Sequence, residues 1–229
     1  MQQVLLVFPI PSDEQTGVTP PLSILYVGAF LEKAGISVSY IDLRIHSLND
    51  LKAELEREPS IVGISSMTGY QLKGTIDVLE RVRNYSPEII TVLGGVHASL
   101  LPHQTISDPR VDFVVVGEGE ETMVELLREI QTTGNYDSIK GIGYKRNDGE
   151  VVFTGNRSLM PALDKVPMFD DSFFPMESYL RNASGFFQVH TQRGCPHGCT
   201  FCFNNFRVVS SGVRYRPFEQ IVDEIEYFK

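Results

Sequence analysis

The sequence predicts an α/β fold with a doubly wound, parallel, five-stranded sheet, and two observations carry this prediction. Five short runs rich in Val and Ile are apolar almost throughout, as expected for strands that helices cover on both faces. Segments with the apolar spacing of helices lie between successive runs. Because such alternation with short links requires right-handed crossovers, the strands should be parallel and the sheet flavodoxin-like or Rossmann-like.

The predicted strands and helices follow one another from the N-terminus. The strands are VLLVF from Val4, SVSYI from Ser37, IVGIS from Ile61, IITVL from Ile89 and DFVVV from Asp112. Gly35 has the place of a left-handed C-cap, and Ser47 with Asp50 opens the next helix. The apolar helix faces are Leu22, Leu25, Tyr26, Ala29 and Phe30, then Ile76, Leu79 and Val82, and later Met123, Leu126, Leu127 and Ile130.

The chain is expected to have three parts. They are the sheet domain, a hairpin with a linker, and the first strand, loop and helix of a partial β/α barrel, at residues 1–134, 135–183 and 184–229. Asn147-Asp148-Gly149 separates two alternating runs and predicts the hairpin. The proline-punctuated linker carries aromatic and Met side chains, so it should pack.

The last predicted helix, PFEQIVDEIEYFK, has Pro217 in its first turn and a complete apolar face. Little chain follows to cover that face, so we expect a truncated domain that self-associates through this helix. The face comprises Phe218, Ile221, Val222, Ile225 and Phe228.

Composition narrows the class of protein. The 229 residues carry a net charge of −9, which disfavours a surface for nucleic acid or anionic membrane. No apolar run approaches the roughly 20 residues of a membrane span, and the N-terminus lacks the basic region of a signal peptide. All three cysteines lie within eight residues, which is a poor disulfide framework and suits a reducing compartment. We therefore expect a soluble cytoplasmic protein.

The cysteines form the pattern C-x-x-x-C-x-x-C at Cys195, Cys199 and Cys202. Soft thiolates select zinc, copper(I) or iron–sulfur clusters. A zinc site needs a fourth ligand, and His197 is too cramped between the first two cysteines to supply it. Three thiolates on a cuboidal cluster leave one iron open, which is typical of a reactive site. The alternatives are a structural zinc site and incidental thiols.

The loop RGCPHGCTFC resembles the cluster loop of radical S-adenosylmethionine (radical SAM) enzymes. The resemblance implies a 4Fe–4S cluster on Cys195, Cys199 and Cys202, with SAM on the open iron. One electron, from a donor such as flavodoxin or ferredoxin, then cleaves SAM to a 5′-deoxyadenosyl radical that abstracts hydrogen from a small-molecule substrate. Phe201 corresponds to the residue beside the adenine; the alternative is that its ring only packs the loop.

The preceding segments resemble the domain that precedes the cluster in cobalamin-binding radical SAM proteins. They are PPLSILYVGAFLEKAGISVSYIDL, ISSMTGY, GGVHASLLP and DFVVVGEGEETMVELL, and the likeness covers nearly the whole chain. Ligands in doubly wound sheets bind beyond the carboxyl ends of the strands, where these loops fall. Each glycine there could equally form an ordinary turn, and His97 a structural hydrogen bond. The candidate cobalamin contacts are Ser65, Ser66, Met67, Thr68, Gly94, Gly95, Val96, His97, Gly117, Glu118 and Gly119.

One departure concerns the cobalt ligand. Cobalamin proteins that ligate cobalt from below use Asp-x-His-x-x-Gly after the first strand, and the loop SDEQTGVTPP contains no histidine. Asp42 and His46 have the wrong spacing and follow the second strand. The resemblance therefore implies cobalamin without a histidine ligand from this motif.

The leading hypothesis is the N-terminal portion of an enzyme, with cobalamin carrying a methyl group to a substrate carbon; cyclisation, oxidation and ring contraction are further outcomes. No catalytic residue is assigned, because substrate-contacting barrel residues are not in the sequence. One alternative is a truncated cobalamin-binding or interaction module without catalysis of its own. Another is a zinc-binding regulator.

Overall fold

A computed structural model describes residues 3–10, 18–168, 176–182, 188–203 and 212–228. Its main sheet has seven strands in the order β2-β1-β3-β4-β5-β6-β7. The first five are parallel, and the last two are antiparallel to their neighbours. The strands are β1 (Gln3–Phe8), β2 (Ser37–Asp42), β3 (Ile61–Ser65), β4 (Ile90–Gly94), β5 (Phe113–Val115), β6 (Ile142–Lys145) and β7 (Val151–Phe153).

Helices cover both faces of the sheet, which confirms the predicted doubly wound α/β fold. Those that connect or follow the strands are α1 (Leu22–Lys33), α2 (Leu48–Leu55), α3 (Gln71–Tyr85), α4 (Gly95–Leu100), α5 (Pro102–Ser107) and α6 (Glu120–Gln131). Helices α1 and α6 pack on one face, around Leu6, Ile24 and Leu126. The other four pack on the opposite face, around Leu5 and Leu79.

The predicted helix ends are confirmed. Gly35 has a φ of +80°, and the next residue, Ile36, donates its N–H to the Leu31 carbonyl at 3.0 Å. Ser47 and Asp50 form a capping box, in which Ser47 Oγ accepts the Asp50 N–H at 3.2 Å. Both devices use backbone groups that a helix end leaves unpaired.

One residue of the predicted α3 face is wrong. Ile76 is 38% exposed, whereas Thr75 and Val78 are buried with the expected Leu79 and Val82. The buried face of α3 therefore contains Leu79 and Val82 as predicted, with Thr75 in the place of Ile76. Thr75 can occupy this buried position because its hydroxyl donates to the Gln71 carbonyl. The predicted face of α6 is confirmed, although Ile130 is only half-buried. The predicted face of α1 is also packed, but against the linker, whereas Ile24 and Leu31 face the sheet.

The predicted hairpin is confirmed, with Gly149 at a φ of +87° in its turn. It does not stand apart from the sheet, because β6 pairs with β5 and places Ile142 opposite Val115. At Gly143 the Phe153 ring lies where a side chain would be, since a Cβ would come within 2.4 Å of it. The sheet therefore continues past Gly134 to Phe153.

The linker packs as predicted over the part that the structure describes, while residues 169–175 lie outside it. Met160, Leu163 and Val166 are buried against α1. So is Tyr179 in α7 (Met176–Asn182), whose hydroxyl donates to Asp42 Oδ2 at 2.6 Å. The linker thus binds the first part of the chain to the last.

The last part contains β8 (Gln192–Cys195), β9 (Gly212–Tyr215) and α8 (Phe218–Tyr227). The predicted strand is confirmed only at β8, since residues 188–191 are not in a strand and residues 185–187 lie outside the described range. The antiparallel strand β9 pairs with β8 before the helix begins, an element that the predicted strand, loop and helix did not include. Among the described helices, none is both long and apolar enough to cross a membrane.

Candidate functional site

A cavity of about 430 Å³ opens at the carboxyl edge of the sheet, between the N-terminal ends of α1 and α6. Its floor is formed by β1, β3, β4 and β5, which contribute Leu6, Ile64 and Val92. One wall is α1 with Ser23, Tyr26 and Val27, and the other is α6 with the loop before it. Strand β8 and the residues before it close the top with His190, Gln192, Arg193 and Gly194.

Two glycines line or border this space. A Cβ on Gly63 would lie 2.8 Å from Leu6 Cδ2, so the Leu6 side chain packs directly against the backbone of β3 at the floor. A Cβ on Gly119 would meet Val115 and Val27 at 3.5 and 3.6 Å, across the gap between α6 and α1. The result is a largely apolar slot with polar groups at its mouth, as in many small-molecule sites.

The structure divides the predicted cobalamin contacts into two groups. The first group lines the cavity and comprises Ser65, Gly94, Gly95, Gly117, Glu118 and Gly119. The second group does not line the cavity and comprises Ser66, Met67 and Thr68 in the loop after β3, with Val96 and His97 in α4. All of them lie at the predicted edge, because the carboxyl ends of parallel strands meet there.

Members of the second group hold the edge loops together. Ser66 is fully buried, and its carbonyl accepts the His97 N–H at 3.0 Å. The His97 ring lies with Nδ1 3.3 Å from Thr68 Oγ1, and burial lowers the pKa of this imidazole. Met67 is 55% exposed. His97 thus makes the structural hydrogen bonds that were the alternative to a cofactor contact.

Close backbone approach explains the glycine that begins α4. Gly95 has a φ of +88°, and a Cβ there would lie 2.6 Å from the Ser66 carbonyl oxygen. The neighbouring Gly117 donates its N–H to Ser99 Oγ at 2.9 Å, which fixes the loop before α6. Ser65 Oγ donates to Ser23 Oγ at 2.9 Å and joins β3 to α1 at the cavity mouth. The edge is therefore preformed.

Ion pairs join the loop before α6 to the strands around the cysteine loop. Glu118 Oε1 lies 2.7 Å from Arg214 Nη2 and 3.3 Å from Arg193 Nη1. Glu120 Oε1 lies 2.5 Å from Arg193 Nη2. Burial alone raises the pKa of Glu118, but its hydrogen bonds to Arg214 and the charge of Arg193 outweigh burial and lower that pKa.

A second ion pair lies deeper. Arg216 Nη2 and Glu224 Oε2 are 2.6 Å apart and both side chains are almost completely buried. The Tyr26 hydroxyl lies 3.4 Å from Arg216 Nη1, and burial raises the pKa of this phenol. The guanidinium carbons of Arg193 and Arg216 lie 5.7 and 6.0 Å from the centre of the Tyr26 ring. Two guanidinium groups thus lie close to this ring.

His190 is a further cavity residue that sequence reasoning missed. Burial, with the nearby charges of Arg193 and Arg216, lowers its pKa to about 4. Its Nδ1 is buried and has no hydrogen-bond partner among the described residues. The ring is therefore neutral near pH 7, with a polar nitrogen at the cavity.

Sequence signals for the missed residues were weak. The one sequence pattern that indicated a charged strand face was the alternation Arg-Tyr-Arg at residues 214–216. The structure places Arg214 of this pattern opposite Arg193. Nothing in local spacing connected these arginines to Glu118.

The cysteine loop follows the cavity wall directly, since Cys195 comes after Gly194. Cys195 and Cys202 are half-buried and Cys199 is exposed, and none of the three is in a disulfide. The Cys202 N–H donates to the Cys199 carbonyl at 3.1 Å in a turn. Within the described ranges, no three Cys, His, Asp or Glu side chains converge as a metal site. Phe201 is 91% exposed, so its ring does not pack the loop.

Asp42 and His46 have structural partners. Asp42 accepts hydrogen bonds from Arg44 Nε at 2.9 Å and from the Tyr179 hydroxyl. His46 Nδ1 lies 3.1 Å from the Asp42 backbone nitrogen. Neither residue lines the cavity. The loop SDEQTGVTPP lies partly outside the described residues, which begin again at Val18.

Comparisons with solved structures agree with this architecture. The cobalamin-dependent S-adenosylmethionine radical enzyme OxsB, with aqua-cobalamin and S-adenosylmethionine bound, matches with a TM-score of 0.83 and 23% identity, over 99% of this chain and 31% of that chain. TsrM from Kitasatospora setae, with cobalamin and a 4Fe–4S cluster bound, matches with a TM-score of 0.77 and 21% identity, over 100% and 46%. At these identities the likeness shows the fold.

Sequence comparisons show the family. An uncharacterised methyltransferase of Pyrococcus horikoshii is 30% identical over 98% of this chain and 50% of that protein. Cytidylyl-2-hydroxyethylphosphonate methyltransferase of Streptomyces wedmorensis is 28% identical over 90% and 48%. This chain thus spans about half the length of these curated relatives. The B12 binding domain family matches residues 13–127. The chain therefore belongs to the B12-binding domain family.

Proposed function

We propose that this chain is the cofactor-binding portion of a radical SAM enzyme. When bound, a 4Fe–4S cluster and SAM supply a 5′-deoxyadenosyl radical, and cobalamin supplies methyl transfer to an unactivated carbon. The methyl-transfer proposal is supported by relatives named as methyltransferases that match over 90% or more of this chain. The substrate is a small molecule, and the reducing electron comes from a protein donor.

A single observation carries the proposal. The cavity at the sheet edge is closed by Gln192, Arg193 and Gly194, and Cys195 follows immediately. The site for a cofactor on the sheet and the start of the cysteine loop are therefore neighbours. An enzyme that uses both groups on one substrate needs them at such close range.

The cavity fits part of a cobalamin. It is apolar in its depth, where Leu6, Ile64 and Val92 line it, and its mouth offers the Ser65 hydroxyl. We propose that Gly94, Gly95 and Gly117 let the backbone approach the cofactor at this mouth. His97 is turned to Thr68 and does not line the cavity, so we propose that it supports the edge and does not ligate cobalt.

The cysteine loop fits a cluster through the chemistry of its donors. Cys195, Cys199 and Cys202 lie within eight residues and none is committed to a disulfide. Thiolates are the ligands that iron–sulfur clusters prefer. The exposed ring of Phe201 is available to lie beside a bound SAM, which we propose as its role. In this reading the chain's own task is to orient two cofactors and exclude water.

Cobalamin binding is tested by titrating the purified protein with hydroxocobalamin. We expect a spectral change and a higher thermal midpoint, because a ligand that binds only the folded state stabilises it. Gly119→Leu should fill the slot between α1 and α6 and weaken binding by about 100-fold, by about 3 kcal/mol of lost contact. Gly119→Ala is the matched control, since its Cβ makes only ordinary contacts. Unchanged spectrum and midpoint in the unmutated protein would remove cobalamin from the proposal.

Cluster binding is tested by anaerobic reconstitution with iron and sulfide. We expect about four irons per chain and visible absorption, both lost when Cys199 is replaced by Ala. His197→Ala should leave the iron content unchanged, because His197 is not among the proposed ligands. Stoichiometric zinc without visible absorption, lost in His197→Ala, would instead support a zinc-binding regulator.

A further inference from the structure

Three arginines share one face of the β8–β9 pair. Arg193 in β8 lies directly opposite Arg214 in β9, and Arg216 follows two residues later. Because side chains alternate along a strand, residues two apart or directly opposite point to the same side. Like charges at such positions destabilise a strand pair unless opposite charges lie between them.

Carboxylates from the sheet domain supply those charges. Glu118 Oε1 lies within 3.3 Å of both Arg193 and Arg214, and its Oε2 lies 2.9 Å from Arg214 Nη1. Glu120 takes the second side of Arg193. We name Glu118, Glu120, Arg193 and Arg214 the arginine clasp.

The clasp is shielded from solvent. The exposed fractions of its side chains are 13% for Arg193 and Glu118, 11% for Arg214 and 6% for Glu120. Removing one partner from a buried pair leaves an uncompensated charge, so such pairs fix geometry more strongly than exposed ones. The linker joins as well, since Met160 donates its N–H to Glu118 Oε2 at 3.0 Å.

We infer that Glu118 and Glu120 are positioning residues that hold the cysteine loop against the cofactor edge. This inference rests on the proposed function. The loop that carries Glu118 also lines the cavity through Gly117 and Gly119. One short segment therefore contacts both a ligand in the cavity and the arginines beside the cysteine loop. Glu118 was a candidate cobalamin contact; the clasp assigns its carboxylate to the arginines instead.

Hydrogen exchange of the purified protein without cofactors tests the clasp directly. Glu118→Gln should speed exchange in peptides from β8, β9 and residues 196–203 by about tenfold, while β1 and α3 stay protected. Glu125→Gln is the matched control, because Glu125 is in α6, the helix that follows Glu118, and pairs with Arg157 outside the clasp. Unchanged exchange around the cysteine loop in a folded Glu118→Gln variant would overturn the inference.

A double-mutant cycle guards against simple misfolding. Arg214→Gln alone should also speed exchange, and the double variant Glu118→Gln/Arg214→Gln should be no faster than Glu118→Gln alone. Effects that simply multiply, as for independent sites, would contradict the clasp. Either single variant that folds also tests the clasp alone, because each one breaks the pair between Glu118 and Arg214.

Positioning is tested separately with both cofactors loaded. In the unmutated protein, the electron paramagnetic resonance signal of cob(II)alamin should broaden when the cluster is reduced, because two unpaired spins are close. Glu118→Gln should narrow that signal with both groups still bound, and Glu125→Gln should not. Equal broadening in all three proteins would overturn the positioning role. Failure of the unmutated protein to load either cofactor would instead refute the proposed function, and the exchange result would still decide whether the clasp exists.

Discussion

The sheet edge and the β8–β9 pair meet at one cavity but are built by opposite means. At the edge, Gly63 and Gly95 are places where a side chain would collide with its neighbours, and buried apolar strands lie directly beneath. At β8–β9, Arg193 and Arg214 keep their positions through carboxylates from the other part of the chain. The cysteines beyond are exposed or half-buried.

The difference separates stability from positioning. The free energy from burying apolar side chains in the sheet core depends on buried area and has no directional requirement. It therefore stabilises the sheet domain without fixing where the β8–β9 pair lies. Buried ion pairs contribute little net stability but select one geometry. Changes in the sheet core should therefore unfold the protein, whereas changes at the clasp should displace the cysteine loop from a folded sheet.

The largest effect is expected in the sheet core. Leu126→Ala removes a fully buried side chain of α6 and should lower the free energy of unfolding by about 3 kcal/mol. Urea denaturation followed by circular dichroism measures the loss. Leu48→Ala is the control, since Leu48 is 42% exposed and should change stability by under about 0.5 kcal/mol. Equal losses in both variants would show that burial at α6 does not stabilise the fold.

The next largest loss of stability is expected at His190, which closes the top of the cavity, and it depends on pH. His190 has a lowered pKa of about 4, set by burial and by Arg193 and Arg216, with Glu118 opposing them. His190 therefore takes up a proton near pH 6.5 in the unfolded chain, but only near pH 4 in the folded protein. The free energy of unfolding consequently falls as the pH falls. Between about pH 7 and about pH 5 the loss should be about 1.5 kcal/mol after solvent screening.

Urea denaturation at several pH values measures that slope, and His190→Gln supplies the comparison because it cannot titrate. The variant should lose the part of the slope that lies between the two pKa values. An unchanged slope would mean that His190 is as solvated in the folded protein as in the unfolded chain.

A smaller effect is expected far from the cavity. Ser47→Ala removes the side-chain half of the capping box on α2 and should cost about 1 kcal/mol of stability. Hydrogen exchange at β8 and β9 should stay unchanged, since α2 packs on the opposite face from α1 and α6. Thermal unfolding and exchange on the same sample measure both. Faster exchange at β8–β9 would show that any loss of stability loosens the clasp.

The sequence predicted the sheet edge well because its signals are local. Runs such as Val4–Val7 are buried completely, and parallel strands bring Ser65, Gly94 and Gly117 to one edge. The wall formed by Ser23 was not predicted, because helical periodicity describes which face packs and says nothing of a gap between two helices.

The clasp lay beyond such reasoning for a different reason. Glu118 and Arg214 are joined by a contact between distant segments, and no spacing rule relates them. A charged residue in a glycine-flanked loop suggested a ligand contact, whereas its real partners are cations of the same chain. The one-residue error at Ile76 has the opposite origin, since Thr75 satisfied its hydroxyl locally and became a core residue.

The smallest effect on stability is expected at α8. Phe218 and Ile225 are 73% and 50% exposed, whereas Phe228 packs against the cluster of α1 and the linker, so the predicted face is partly uncovered. Phe218→Ser should therefore change the free energy of unfolding by under about 0.5 kcal/mol. The same change should reduce self-association, which sedimentation velocity measures across a concentration series, because an exposed apolar face drives association. Glu226→Ser is the control: Glu226 is also exposed in α8 but is not part of the apolar face, so its replacement should leave self-association unchanged. Monomers at all concentrations before mutation would contradict self-association and leave the α8 face as a surface that this chain does not use to pair with itself.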